Sequence, residues 1–305
     1  MGWCFNRLVH AAGRVVSRGI LLLAYAILLA MMSGPKQAGF TIVETLIFLA
    51  VSAGILIAAL TLVNGSQSKT SFTEGMRDID QRLTTVINNV ANGYYPRISD
   101  ISCTDAGVGR PVTITVGSEA RGSEGNCIFI GRVASFTKGA DSFTVYSVAG
   151  LRQYYDGTAK VEANSMEHAR PNVLPDAEVI QLKNGIELLQ MRWTDGTPTD
   201  HDTGAVGFFT SFGVNNVSGE LQSGSLTSNF AGISGTDPDS TPDNVKDRIA
   251  SSAWWPAYDA EKNPAGGVEL CFKSGTTNQV GSIKIGGQNQ SANITQTIKT
   301  GSACW

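Results

Sequence analysis

The sequence predicts an α+β protein in which a long N-terminal helix, its first half transmembrane, packs on an antiparallel β-sheet head. Three observations support this prediction. Residues 40–63 form an apolar run, residues 64–92 continue it as an amphipathic stripe, and residues 93–305 contain short strand-like segments between turn residues. Together with residues 1–39, which precede the apolar run, these ranges are the predicted segments of the chain.

The apolar run has the length and composition of a membrane span. Its 24 residues, 40–63, contain one formal charge, Glu44, and as a helix they would extend for roughly 36 Å, enough to cross a bilayer with some tilt. A lone carboxylate costs about 2.5–3.5 kcal/mol at the bilayer centre and less near an end. We therefore expect Glu44 to have a partner, the alternative being a plain signal anchor whose Glu44 reaches the interface.

The polar continuation of this run keeps a helical period. Its apolar residues recur at spacings of three and four, which places them on one face of a helix: Phe72, Met76, Ile79, Leu83, Val86, Ile87 and Val90. No proline interrupts residues 41–92, and Gly93 followed by Pro96 provides a stop signal. The pattern predicts one helix over residues 41–92.

Segments rich in Val, Ile, Phe, Thr and Tyr follow, as is typical of strands. They are residues 111–116, 127–136, 143–148, 178–182, 186–193, 267–273 and 280–285. Turns are predicted at Gly139-Ala140-Asp141, at Asn184-Gly185, which is a strong hairpin signal, and at residues 274–279. These hairpins predict an antiparallel sheet.

Residues 194–266 are rich in Gly, Ser, Thr, Asn, Asp and Pro, and we interpret them as an elaborate loop insertion interrupted by residues 206–212 and by Trp254-Trp255. The two tryptophans, with Tyr258, form either an adhesive aromatic patch or a plug that holds the insertion on the sheet. We favour the plug, because a buried Trp contributes 150–250 Å² of apolar area.

Calcium is the one candidate cofactor, with aspartates of the insertion as its ligands. They are Asp195, Asp200, Asp202, Asp237, Asp239 and Asp243. Their spacing matches no calcium-binding loop. Since Asp is favoured in turns, we interpret them as solvated turn carboxylates and expect no cofactor.

Four of the five cysteines follow the predicted span: Cys103, Cys127, Cys271 and Cys304. Four cysteines on one side of a membrane suggest two disulfides. Of the three connectivities, sequence proximity favours Cys103–Cys127 and Cys271–Cys304. Zinc is the weaker alternative, since there is no CxxC motif and neither His168 nor His201 has metal-like spacing to a cysteine.

Enzyme and nucleic-acid functions find little support. The chain has no GxSxG, no HExxH and no phosphate-binding glycine loop, so we expect no catalytic activity. Without residues 1–39, which hold four basic and no acidic residues, 19 basic face 26 acidic residues, a formal charge of −7. Nucleic-acid binding is therefore disfavoured, unless one face gathers the dispersed candidates Arg97, Arg110, Arg121 and Arg132.

The residues around the start of the span form a specific motif. Lys36, then Ala38-Gly39, then Phe40-Thr41-Ile42-Val43-Glu44 resembles the processing site of type IV prepilins and type II secretion pseudopilins. The resemblance implies cleavage after Gly39 by a membrane-bound prepilin peptidase, N-methylation of Phe40 and a filament-assembly role for Glu44. It also implies a pilin-like fold, in which a disulfide ties the C-terminal tail to a strand.

Residues 1–39 depart from the short leader of that family. They hold Arg7, Arg14 and Arg18 and an apolar run over residues 20–32, which alone resembles a signal peptide. A start at Met31 or Met32 would leave the usual leader, MSGPKQAG, and a membrane hairpin is the alternative. Lys36 on the inside would place the head outside.

The resemblance implies a structural subunit, a minor pilin or pseudopilin, of a type IV pilus-like filament. Its expected partners are other pilin subunits, the prepilin peptidase and the pilus or secretion assembly machinery. It would be a single-pass protein of the cytoplasmic membrane that later enters a cell-surface filament. The alternatives are a DNA-binding competence-type minor pilin and a plain membrane-anchored surface protein.

Co-expression with a prepilin peptidase should shorten the chain so that it begins at Phe40, and Gly39→Val should block this cleavage. N-terminal sequencing of both products is the measurement. A mature start near Met32, or at an ordinary signal-peptidase site, would remove the basis of the family resemblance.

Overall fold

The computed structural model describes residues 41–94, 101–116, 126–194, 200–210, 229–239, 242–287 and 292–305. The chain divides into two units, Met1–Val63 and Asn64–Trp305, and the division falls at the end of the apolar run. The described residues form a mixed α+β fold with an apolar N-terminal helix, and all strand pairs are antiparallel. The predicted α+β class and the antiparallel direction of the strand pairs are confirmed.

Helix α1 spans Ile42–Ala91, one residue shorter at each end than predicted. It ends because Gly93 adopts a left-handed conformation, φ 62°, which only glycine reaches without steric cost. The Gly93 amide donates to the Val90 carbonyl at 3.0 Å, and the Tyr94 amide donates to the Asn89 carbonyl at 2.7 Å. These two bonds form a Schellman motif, which satisfies carbonyls that the end of the helix would otherwise leave unpaired.

The remaining elements are short. The described strands are β1 Ile101–Thr104, β2 Thr113–Val116, β3 Cys127–Phe136, β4 Ser142–Leu151, β5 Gln153–Tyr155, β6 Lys160–Glu162, β7 Asn172–Gln181, β8 Ile186–Thr194, β9 Asp200–Asp202, β10 Ala205–Phe209, β11 Asn229–Gly232, β12 Gly267–Ser274, β13 Gln279–Ile285 and β14 Ile294–Thr300. The further helices are α2 Met166–Ala169, α3 Pro242–Ile249 and α4 Trp255–Glu261.

The predicted single sheet is instead two five-stranded sheets. The first sheet has the order β11-β10-β3-β4-β7 and the second has the order β14-β13-β12-β8-β9, while β1–β2 and β5–β6 form separate ribbons. The hairpins at Gly139-Ala140-Asp141, which joins β3 to β4, and between β12 and β13 are confirmed.

The second half of α1 packs against both sheets and forms what we call the helix core. The predicted stripe residues Phe72, Met76, Ile79, Leu83, Val86 and Val90 are buried, and Ile87 is partly buried. They meet apolar side chains of both sheets, among them Phe136, Phe143, Val145, Phe208, Leu188, Trp193, Leu270 and Ile283. Each fully buried side chain of this size contributes about 1.5–3 kcal/mol to folding.

Two glycines let the helix and the second sheet come close. A Cβ on Gly75 of α1 would collide with the Ile186 side chain, and a Cβ on Gly281 of β13 would lie 2.7 Å from the Met76 Cε atom. Side chains therefore fill the space that each glycine leaves open. These two close contacts fix the position of α1 on the sheet.

The hairpin predicted at Asn184-Gly185 is wrong, although both residues have the left-handed conformation, φ 62° and 64°, that the turn signal implies. The strands on either side, β7 and β8, belong to different sheets. The turn is instead attached to α1, because the Asn184 Nδ2 atom donates to the Ser71 carbonyl at 2.7 Å and Lys183 pairs with Asp78.

The loop insertion predicted at residues 194–266 is wrong for much of its described part. Strand β10 lies between β11 and β3 inside the first sheet, and all five of its residues are buried. A Cβ on Gly131 of β3 would collide with the Phe208 carbonyl, so this glycine permits the pairing. Strands β9 and β11 and helices α3 and α4 occupy further parts of the same segment.

Leu83→Ala should lower the free energy of unfolding by about 2–5 kcal/mol, because it empties a fully buried position of the helix core. Gln81→Ala, on the exposed side of the same turn, is the matched control and should change it by less than about 0.5 kcal/mol. Denaturant unfolding of the detergent-solubilised full chain measures both. Equal effects would contradict the packing of this helix face.

Candidate functional site

The first part of α1, Ile42–Ala59, is what we call the apolar segment. By length and composition it can cross a membrane, none of it is buried, and within the described residues it is the one helix that meets this description. Large apolar side chains are exposed on all of its sides: Ile42, Val43, Leu46, Ile47, Phe48, Leu49, Val51, Ile55, Leu56 and Ile57. Such a helix needs an apolar surrounding, either lipid or other helices.

Glu44 lies in the first turn of this segment and is exposed. Its backbone amide donates to the Thr41 hydroxyl at 3.3 Å. The order Thr41, two residues, then Glu44 is that of a capping box, in which the first hydroxyl and the fourth side chain satisfy the amides at a helix start. The pattern is visible in the sequence, although it was not among the predicted features.

Within the described residues the Glu44 carboxylate has no hydrogen-bond or ion-pair partner. The other polar side chain of this turn does: the Thr45 hydroxyl donates to the Ile42 carbonyl at 2.8 Å. Since backbone and side-chain polar groups in a bilayer must be satisfied internally, Thr45 is compatible with lipid at no further cost. The Glu44 charge therefore stands out as the group that needs a partner from outside this turn.

Gly39 and Phe40, with Lys36 and the rest of residues 1–40, lie outside the described residues. Cleavage after Gly39 and methylation of Phe40 therefore stay predictions. What the structure adds is that the helix begins at Ile42, within the residues that resemble a processing site.

The head contains two disulfides, Cys103–Cys127 and Cys271–Cys304, with Cα–Cα distances of 5.2 Å and 5.8 Å. These are the pairings that sequence proximity favours. The first joins β1 to the start of β3, and the second joins β12 to the residues that follow β14.

Trp254 and Trp255 are buried, so the plug interpretation is confirmed and the exposed adhesive patch is wrong. They pack, with α2 and α3, on the side of the first sheet that carries Ile130, Val133 and Tyr146. The Trp254 Nε1 atom donates to Glu261 at 3.0 Å and the Trp255 Nε1 atom donates to the Ile249 carbonyl at 2.9 Å. Burial raises the pKa of the neighbouring Tyr258 hydroxyl well above its usual value.

The aspartates considered as calcium ligands, where their side chains are described, form hydrogen bonds or ion pairs with neighbouring protein groups. Asp237 accepts a bond from the Asp239 amide at 2.9 Å, Asp239 pairs with Lys138, and Asp202 accepts from Gln190. Asp195 lies outside the described residues, as do the side chains of Asp200 and Asp243. Among the described side chains, no group of three or more His, Cys, Asp or Glu is placed to hold a metal ion.

The arginines of the nucleic-acid hypothesis do not share an exposed face in the described structure. Arg132 is 2% exposed and pairs with Glu178 at 2.6 Å, whereas Arg110 is exposed. Arg97 and Arg121 lie outside the described residues. Arg132 as a phosphate ligand is therefore wrong, because its guanidinium is buried in the head.

His168 and His201 take part in ring stacking: His168 stacks on Tyr154 and His201 on Trp193, with centroids 4.2 Å and 4.4 Å apart.

The absence of an enzymatic role stays a prediction. No protein-family model, curated protein or solved structure matches this chain. Its function is therefore argued from its own residues.

Replacing Cys271 and Cys304 together by Ser should lower the free energy of unfolding by about 3–4 kcal/mol, because the bond closes a long loop in the unfolded chain. Cys4→Ser, which removes a cysteine outside both pairs, is the matched control and should have no effect. Peptide mapping without reduction tests the pairing itself. Four free thiols, or a Cys103–Cys304 peptide, would contradict it.

Proposed function

We propose that this protein is a structural subunit of a type IV pilus-like filament, a minor pilin or pseudopilin that a prepilin peptidase processes and that assembles through its N-terminal helix. One observation supports this most: a carboxylate without a described partner, Glu44, lies in the first turn of an unburied apolar helix, five residues after Gly39. The resemblance of residues 36–44 to a prepilin processing site gives that carboxylate its role.

The two parts of α1 suit two surroundings. The apolar segment exposes apolar side chains on all sides, as a helix in lipid or among other helices does. The later part, from Phe72 to Val90, buries one stripe in the head. A subunit that is first held in a membrane and then moved into the helical centre of a filament needs this arrangement.

Glu44 would acquire its partner through processing. Cleavage after Gly39 creates an amine at Phe40, which becomes methylated, and this cation can pair with the Glu44 of the same or of a neighbouring subunit. Two unit charges 4 Å apart attract by about 1 kcal/mol in water and about 4 kcal/mol at an effective dielectric constant of 20. Among helices in an apolar filament centre this pair would set the register, which apolar packing alone leaves free to slip.

The side of the membrane on which the head lies is inferred from the charge of Lys36 and from the two disulfides. Lys36 would keep the N-terminus on the cytoplasmic side of the membrane, which places the head outside. Two disulfides suit that oxidising side. The partners are then other pilin subunits, the prepilin peptidase and the pilus or secretion assembly machinery.

A plain membrane anchor is the second candidate, and the bond between the Glu44 amide and the Thr41 hydroxyl favours it. If Glu44 serves only in the capping box, its task is to start the helix, and its charge has no role between subunits. Glutamine can replace glutamate in a capping box, whereas leucine cannot. The two substitutions therefore separate the two candidates.

Glu44→Leu and Glu44→Gln should both insert into the membrane, be cleaved after Gly39 and keep a folded head, yet enter filaments at least about tenfold less than the wild type. The reason is that both remove the charge, and close charge pairs at interfaces contribute about 1.5 kcal/mol or more, with 1.4 kcal/mol per tenfold change. The measurement is the ratio of filament-incorporated to membrane-held subunit.

Two other outcomes would contradict this assembly role. Normal incorporation of Glu44→Gln with failure of Glu44→Leu would assign Glu44 to the helix start alone. Normal incorporation of both would leave the plain anchor as the function.

A further inference from the structure

The two large sheets have four outer strands, and three of them are protected against pairing with another chain. The edge of β11 is covered by Asn263, whose amide donates to the Phe230 carbonyl at 2.6 Å and whose side chain accepts from the Phe230 amide. Strand β7 contains Pro175 and acidic residues, and β9 has three residues, two of them aspartates. Short length, proline, charge and covering segments are the devices by which proteins protect sheet edges.

Among the described residues, the fourth outer strand, β14, has no covering segment, and a single charge is its one protection. It runs for seven residues in an unbroken register with β13, contains no proline and has one charge, Lys299. The ammonium of Lys299 is held by the Cys304 carbonyl at 2.8 Å. The disulfide to Cys271 holds the residues after β14 against β12, and the Cys304 Sγ atom lies 3.4 Å from the Gly281 carbonyl oxygen of β13.

The backbone groups that face outward can be assigned. Gly301 donates to the Asn278 carbonyl and Gly286 donates to the Asn293 carbonyl, so the odd-numbered residues of β14 bond to β13. In an antiparallel pair the bonded residues alternate with unbonded ones. The amides and carbonyls that point away from β13 are therefore those of Ile294, Gln296, Ile298 and Thr300, and within the described residues they have no partner.

The same residues place their side chains on the side of the helix core. Ile294 and Ile298 pack against that core but stay partly exposed, while Thr295, Thr297 and Lys299 are exposed on the opposite side. An added strand would cover the two isoleucines and supply partners for the outward backbone groups. We infer that β14 is the acceptor edge for an extended segment of a partner protein, in which apolar residues alternate with polar ones and the apolar ones face the helix core.

A second copy of this chain fits the edge poorly. Pairing two β14 strands about an axis perpendicular to the sheet would match the apolar sides but reverse the direction of one α1 helix relative to the other. The heads of a filament's subunits, which the proposed function implies, all point the same way, so two of them could not pair in this manner. Pairing them in parallel would set Ile294 and Ile298 beside the polar side of the other copy. A strand from a different protein would neither reverse the direction of α1 nor place a polar side beside Ile294 and Ile298.

The probe is a synthetic peptide as long as β14 in which valine alternates with threonine, with one glutamate for solubility. We expect it to bind the full chain in detergent, as measured by fluorescence anisotropy. A peptide of the same composition with its valines consecutive is the control and should not bind. Binding of both peptides, or of neither, would overturn the proposal.

Residue-resolved amide exchange locates the bound peptide. Without peptide, the amides of Thr295, Thr297 and Lys299 should be protected by β13, and those of Gln296 and Ile298 should exchange freely. With peptide, the Gln296 and Ile298 amides should become protected. Protection that appears elsewhere, with these two unchanged, would contradict binding at this edge.

Variants test the edge without disturbing the ladder to β13. Gln296→Pro removes an outward donor, and Ile298→Lys places a charge on the side of the helix core; each should weaken peptide binding about tenfold or more. Thr297→Lys, with the same charge on the opposite side, is the matched control and should bind within about threefold of the wild type. Thermal unfolding of each variant checks that the head is folded.

Two results from these variants would overturn the inference. One is equal peptide binding by Gln296→Pro and wild type. The other is a full chain that is dimeric as wild type and monomeric as Gln296→Pro, since the occupant would then be a second copy.

Discussion

The burial of one apolar stripe of α1 between the two sheets is the interaction on which the head depends. Each sheet contributes apolar residues from one side, and neither could cover that side alone. The stripe supplies six fully buried side chains to this core, so the helix is the common surface that the two sheets share. The turn at Asn184-Gly185 illustrates this dependence, because it bonds to α1 where the strands on its two sides separate.

The two parts of helix α1 suit two different surroundings. Up to Ala59 its apolar side chains lie on all sides, which suits lipid or other helices. From Phe72 onward they lie on one side, which suits burial of that side in the head. The change in pattern, from uniformly apolar to periodic, marks the point at which the surroundings change. It also explains why Glu44 is the exceptional residue of the first part, where the other polar groups of its turn satisfy themselves.

Much of this arrangement can be predicted from the sequence, where the signal is local. The stripe from Phe72 to Val90, the stop at Gly93 and the hairpin between β12 and β13 each depend on residues close together in the chain. The prediction fails where long-range packing decides. Polar composition around β10 suggests a loop, yet its five residues are buried inside the first sheet, between β11 and β3. Strand β14 was missed because threonine and glutamine interrupt its isoleucines.

The close contacts at Gly75 and Gly281 have a mechanical consequence. The Ile186 side chain occupies the notch that Gly75 leaves in the helix, and the Met76 side chain occupies the one that Gly281 leaves in the sheet. For α1 to slide along its axis, both side chains would have to leave these notches, and close-packed interiors resist such displacement. A pulling force on this part of the helix would therefore be carried into the strands of the second sheet by steric interlock.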